Sequence, residues 1–216
     1  MFATAWLGQL IRRFAMSQVP QSKALCIKES KVLKRIFLII LLFTPVAVWA
    51  FVKPVRVVAP ELLGISCSNN ICIEKISRHD EALRLYKDGL DFVNVNVGTI
   101  ESNPRIIFCS SKSCFQSFGL GKRSAATIGK FGIVISPRAW KEYYVRHEII
   151  HHLQNERLGM VKVWRGPQWF MEGMAYALSE DPRAELSEPF QEYRSRFRAW
   201  YKEIDKSGLW QKARSL

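Results

Sequence analysis

Acid is in short supply in this chain: 19 Asp and Glu face 32 Lys and Arg, for a net charge of +13. Histidine is scarcer, at four residues. There is no internal repeat and no low-complexity tract, which together with 48% hydrophobic residues excludes a fibre and a disordered tail. No Gly-rich phosphate loop and no helix-turn-helix pattern occurs. The basic excess is also not one patch. Residues 1–35 hold seven basic residues and one acid, and residues 53–216 hold 25 and 18, so the charge is spread over two unlike regions. A chain of 216 residues is room for one globular domain plus attachments.

Charge is missing altogether from residues 36–52, IFLIILLFTPVAVWAFV. This run is apolar all round, whereas a core helix would carry polar residues at helical spacing, and it lies near the lower limit of the roughly 17–25 residues that span a bilayer. Lys31, Lys34 and Arg35 precede it. By the positive-inside rule residues 1–35 form a basic cytoplasmic segment and residues 53–216 are sent across, to a periplasmic or extracellular compartment. Two fates are open: a transmembrane anchor, or a signal sequence cleaved after Ala50 at the small-residue site Val48-Trp49-Ala50, which would leave the domain secreted. Met16 can serve as the start, and Trp6, Leu7, Leu10, Ile11 and Phe14 can form a short interfacial helix.

Cysteine is sparse and oddly placed. Cys26 precedes the apolar run, and four follow it at two equal spacings, Cys67-SNNI-Cys72 and Cys109-SSKS-Cys114. An even set beyond a membrane reads as disulfides, with local closure 67–72 and 109–114 the simplest of three pairings. The rival is a four-cysteine zinc site, whose usual spacing of about two to four residues puts this one at the edge.

Within residues 53–216 the pattern is α+β. Val55–Val58 (VRVV), Ile71–Ile73, Arg105–Cys109 (RIIFC) and Gly132–Ile135 (GIVI) read as strands. Ser77-Arg78-His79-Asp80 reads as a capping box for a helix carrying Ala82, Leu83, Leu85 and Tyr86, with His79 a helix-start residue. Ser110 can cap a short helix through Phe115, and Gly119–Gly121 is a loop. Ser136-Pro137 is expected to open a helix that runs without a breaker to Gly159.

That helix contains His147-Glu148-Ile149-Ile150-His151. Histidines at i and i+4 project from one helical face a turn apart, so both imidazoles can reach one zinc. Glu148, about 100° around, can act on a water at the metal without ligating the ion. His152 points away from the pair and is expected to be packing or surface. A catalytic zinc takes three protein ligands and leaves a position open. The best third donor is Glu172. After a loop containing Gly159 and Gly166, Pro167 opens a second helix, PQWFMEGMA, in which Gly173 and Ala175 flank the carboxylate and allow close approach to the first helix.

HEIIH followed by PQWFMEGMA, with twenty residues between His151 and Glu172, resembles the gluzincin (peptidase MA-like) zinc metallopeptidases, in which a glutamate on a second helix, often within W-x-x-E-G-x-A, completes the site. The resemblance spans about Ile133 to Asp181. It implies zinc ligands His147, His151 and Glu172, Glu148 as general base, and the 132–135 strand along the cleft edge, where it could pair with an extended peptide. Tyr176 stands where many members place an acid, so the partner of a zinc histidine must come from Glu180, Asp181 or a carbonyl. The short chain after Asp181-Pro182 implies a shallow cleft.

Phe190, Tyr193, Phe197, Trp200, Tyr201 and Ile204 recur at helical spacing with Arg194, Arg196, Arg198 and Lys202 between them, which reads as an amphipathic helix packed on the core, with contact to anionic lipid as the minor alternative. No nucleic-acid partner is expected across a membrane. The expected fold is a small twisted sheet covered by the His147 and Glu172 helices, with the 188–205 helix as outer support. Three function classes follow: a membrane-attached or exported zinc peptidase acting on peptides or proteins, an inactive zinc-containing binding module, and a metal-free envelope structural protein. Tyr176, Arg183 and Tyr193 are candidates to support a transition-state oxyanion.

Overall fold

The computed structural model describes residues 22–204 and 206–216 and divides into two units, Met1–Trp49 and Ala50–Leu216. The suggested interfacial helix of Trp6, Leu7, Leu10, Ile11 and Phe14, and Met16, lie outside the described residues. A helix that begins in the first unit, α1 (Ser22–Phe51), carries the charge-free run up to Phe51. Its Lys31–Phe51 stretch is long and apolar enough to cross a membrane, with mean hydropathy 2.1 and none of it buried. Pro45 lies inside the helix, and the Thr44 hydroxyl donates to the Ile40 carbonyl at 2.6 Å.

The second unit is a mixed α+β domain. Its five short strands, β1 (Ser66–Ser68), β2 (Ile71–Ile73), β3 (Ile106–Phe108), β4 (Ala125–Ile128) and β5 (Gly132–Ile135), form one open mixed sheet in the order β1-β2-β3-β5-β4. The central strands β2, β3 and β5 run parallel, and the edge strands β1 and β4 are antiparallel to their neighbours. Strict alternation sorts the central side chains. Ile71, Ile73, Ile106, Phe108, Ile133 and Ile135 enter the larger core, while Cys72, Ile107 and Val134 enter a smaller one with Val57, Ile65, Phe115 and Phe118. Strands buried on both faces read in sequence as unbroken apolar runs, which is why β2, β3 and β5 fall where they are expected.

The fourth expected strand does not form. Val55–Val58 lies in a 3-10 helix, Lys53–Val58, because Pro54 in its first turn fixes a helical φ and removes a donor that pairing would need. The capping box at Ser77 is also not made: a 3-10 turn, Ile76–Arg78, leads into α2 (His79–Asn96), and Arg78 bonds Glu81 instead. His79 does start that helix. The short helix α3 (Lys112–Ser117) is capped one residue later than expected, by Ser111, whose hydroxyl accepts from the Cys114 N–H at 3.1 Å. Ser110 N–H instead donates to Glu74.

The helix expected from Ser136 is interrupted. A 3-10 turn, Pro137–Ala139, ends at Trp140, and the α-helix α4 spans Glu142–Leu158. Trp140 causes the break: its indole N–H donates to the Cys109 carbonyl at 2.8 Å and its ring packs on Phe108, which anchors the chain to the sheet before α4 can begin. Residues 159–166, expected as loop, contain α5 (Met160–Arg165). Then come α6 (Gln168–Leu178), α7 (Phe190–Lys202) and α8 (Leu209–Ala213).

The layering differs from expectation in one respect. The sheet is covered by α2 and α4, whereas α6 packs mainly on α4 and α7. Gly89 lets α2 lie close against α4, since a Cβ there would lie 2.7 Å from Ile149 Cδ1. Gly173 serves α7 rather than α4: a Cβ there would meet the Tyr193 carbonyl oxygen at 2.3 Å. Aromatic packing of Phe170 on Phe197 and Trp200 closes the α6–α7 interface, as the helical spacing of aromatics predicts. Arg194 is not on a solvated basic face. It is 2% exposed and donates to the Arg183 and Ala184 carbonyls and to Gln191.

Both cysteine pairs are at disulfide distance, Cys67–Cys72 at 2.05 Å and Cys109–Cys114 at 1.94 Å between sulfurs. Cys67 and Cys72 face each other across β1 and β2, so the pairing is local, as expected from the equal spacings.

Candidate metal centre

The three expected donors converge. One turn of α4 separates His147 from His151, and their Nε2 atoms lie 3.1 Å apart. Glu172, from α6, brings Oε2 to 3.6 Å from His147 Nε2 and 3.7 Å from His151 Nε2. Tetrahedral coordination at metal–ligand distances near 2.0–2.1 Å needs donors roughly 3.3 Å apart, and the observed triangle brackets that value. Two imidazole nitrogens and a carboxylate oxygen are also the donor set that suits zinc.

The histidines and the carboxylate act strongly on one another. Burial penalises charge on Glu172, yet the neighbouring His151 and His147 imidazoles prevail and hold its carboxyl far below the usual carboxylate range. Burial likewise lowers the affinity of His151 for a proton, but the Glu172 charge outweighs it and raises the imidazole to about 9.

His151 is held from behind by Gln154, whose role the zinc-ligand spacing does not reveal. Gln154 is fully buried on α4. Its Oε1 lies 2.9 Å from His151 Nδ1, and its amide Nε2 donates to the Met171 carbonyl at 2.9 Å. Accepting from Nδ1–H leaves Nε2 as the lone-pair nitrogen facing Glu172 and His147. Gln154 therefore fills the supporting role expected of Glu180, Asp181 or a carbonyl. Those acids are engaged elsewhere: Glu180 bonds Arg146 at 2.7 Å, and Asp181 is paired with Arg183. A Gln three residues after the second histidine was the available signal, because i and i+3 share a helix face.

Glu148 is 5% exposed, and its Oε2 lies 2.7 Å from the Thr127 hydroxyl on β4, which is also 2.8 Å from the Glu148 carbonyl oxygen. The carboxylate is thus pinned by a hydroxyl from the sheet. His152 is packing, as expected, at 1% exposure with Nε2 2.8 Å from the Ser102 carbonyl oxygen.

His147, Glu148, His151 and Glu172 line one cleft of about 960 Å³. The strand bordering it is not 132–135, which is interior between β3 and β4, but the edge strand β4, through Ala125, Ala126 and Thr127. Ser136 N–H donates to the Ser124 carbonyl, which sets the pairing phase and turns the backbone groups of Ala125 and Thr127 away from β5. AATI, half of it alanine, carries less strand signal than GIVI, which is why the sequence points to the strand one place further in.

Tyr176, Arg183 and Tyr193 also line the cleft. The Tyr176 ring packs against the His147 ring at 4.4 Å, and burial together with the Glu172 charge pushes its hydroxyl up to about 12. Arg183 is fastened to Asp181 at 2.5 Å and lies 5.5 Å and 5.4 Å from the Tyr143 and Tyr144 ring centres. Glu61 also lies near Cys67 and Cys72, but those sulfurs are tied to each other. Comparison with protein-family models, with curated proteins and with solved structures finds no match to this chain.

Proposed function

We propose that residues 53–216 form a zinc-dependent peptidase that hydrolyses peptide bonds in peptide or protein substrates, with His147, His151 and Glu172 holding the metal and Glu148 as general base. The observation carrying this reading is the convergence of three zinc-type donor atoms, all within 4.8 Å of one another, with a buried carboxylate in the same cleft. A zinc ion bound there supplies Lewis-acid polarisation of a carbonyl and lowers the pKa of a water to about 7.

The chain's own residues supply the rest. Thr127 steadies one Glu148 oxygen, leaving the other to take a proton from the attacking water and pass it to the departing amine. Gln154 fixes the His151 tautomer. The outward backbone groups of Ala125 and Thr127 offer an extended substrate a strand to pair with, which would lay the scissile bond along the cleft. Tyr176, protonated across the physiological range, is a donor beside the site.

In the same reading α1 attaches the domain to a membrane through residues 36–52, or delivers it as a signal sequence, with the basic residues 1–35 cytoplasmic and the peptidase extracytoplasmic. The test is zinc content and proteolysis measured on one preparation of the whole chain. The expected result is one zinc per chain and turnover that Glu148→Gln abolishes while zinc stays bound. Zinc with no turnover in the unaltered protein would favour the inactive binding module, and a chain that takes up no zinc would leave a structural protein.

A further inference from the structure

One surface of the domain is unaccounted for by the proposed chemistry. At the tip of the β4–β5 hairpin, a Cβ on Gly129 would lie 2.7 Å from Met160 Sδ and 3.7 Å from Phe131 Cδ2, so the hairpin tip and α5 form a single surface there. Its large apolar side chains face solvent: Phe131 is 56% exposed, Met160 44%, Val161 66% and Trp164 76%. Scattered exposed apolar residues need no explanation, but four from two adjoining segments make a patch, and patches of this kind mark interaction sites.

The rim of the patch is basic. Lys130 precedes Phe131, Lys162 and Arg165 interleave with Val161 and Trp164, the Arg165 guanidinium lies 5.7 Å from the Trp164 ring centre, and Lys162 Nζ bonds the Arg214 carbonyl. Neither residues 129–141 nor residues 157–171 nor residues 206–216 contain an acid. Exposed apolar tips within a collar of Lys and Arg match the interface of an anionic bilayer, where the tips enter the acyl boundary and the cations meet head groups. A second copy would bring like charge against like.

We infer that Phe131, Met160, Val161 and Trp164 dock the domain onto an anionic lipid surface. This rests on the reading that the chain is attached to a membrane, which its Lys31–Phe51 helix supports, and not on peptidase activity. Trp164 also lines the cleft, so docking holds the cleft mouth at head-group level and presents it to polypeptide segments close to the bilayer.

The experiment uses the full chain with Cys26→Ser, reconstituted into vesicles of phosphatidylcholine with or without phosphatidylglycerol. A nitroxide is placed at Val161→Cys or, as control, at Leu62→Cys, which is 70% exposed. The expected result is a Val161 label that oxygen reaches better than a water-soluble nickel complex only when phosphatidylglycerol is present. The control should stay aqueous, and Phe131→Ser with Trp164→Ser should return the Val161 label to water with helix content and zinc content unchanged. A Val161 label that stays in water, or one shielded from both oxygen and nickel as by a protein partner, overturns the inference. Equal insertion without phosphatidylglycerol overturns the anionic assignment. Carbonate extraction reads the attachment separately. If the chain washes off, flotation with phosphatidylglycerol vesicles sustains the docking surface without the anchor, and failure to float removes both.

Discussion

Gln154 makes the sharpest residue-scale prediction, because it touches both a proposed ligand and the backbone of the helix carrying the other. Gln154→Leu should weaken zinc binding about 10–100-fold, the usual cost of losing such a support, measured by competition with a chelator. Glu172→Ala should lose the metal outright, since it removes one of three ligands. The metal-free protein should also show a particular pH response. His151 is raised from 6.5 to about 9, so its proton stabilises the fold fully below pH 6.5, and that contribution, on the order of 3 kcal/mol, fades as pH rises through 9. Glu172, depressed, contributes above its ordinary value of 4.5 and loses that contribution as pH falls. Denaturation in chelator should therefore show stability declining from pH 6.5 to 9, while zinc affinity rises over the same interval because the competing proton leaves. Of these residues, the two histidines, Glu148 and Glu172 were legible in the sequence because their spacing carries the chemistry. Gln154 and Thr127 were not, since each acts through a contact with a segment that only the folded chain brings near.

Among the elements, α6 depends on a missing side chain. Gly173→Ala would drive a methyl group into the Tyr193 carbonyl, a backbone atom that cannot rotate aside, and should cost about 3 kcal/mol, read as a fall in Tm of several degrees. Zinc affinity should fall with it, since Glu172 is the preceding residue. Arg194→Met would leave the Arg183 and Ala184 carbonyls without their donor and should loosen the 179–189 segment, seen as faster proteolysis there. The central strands were legible because burial on both faces makes them plain apolar runs. The edge strands β1 and β4 were not: SCS is short and polar, AATI is half alanine, a weak strand former, and their pairing is set by neighbours. VRVV failed in the opposite direction, with strand-forming side chains on a backbone that Pro54 bends.

On the scale of the whole molecule, alkylation without reductant followed by mass spectrometry should find Cys67, Cys72, Cys109 and Cys114 oxidised and Cys26 free; four labelled thiols would refute either the export argument or the pairing. The division into an apolar helical unit and a domain was legible from charge alone, whereas the order of the strands was not, because parallel neighbours are joined by long crossovers that leave no local mark. The compactness of the metal centre along the chain has a kinetic consequence. All three donors fall between residues 147 and 172, on two helices joined through the short helix α5, so only a small loop must close to assemble them, while β2, β3 and β5 must wait for longer crossovers to form between them. Helices α4, α5 and α6 can therefore assemble early and offer the proposed donors to a zinc ion while the sheet is still unformed, and in pulse-labelling exchange during refolding the amides of residues 147–172 should gain protection before those of β3, by a margin that zinc widens.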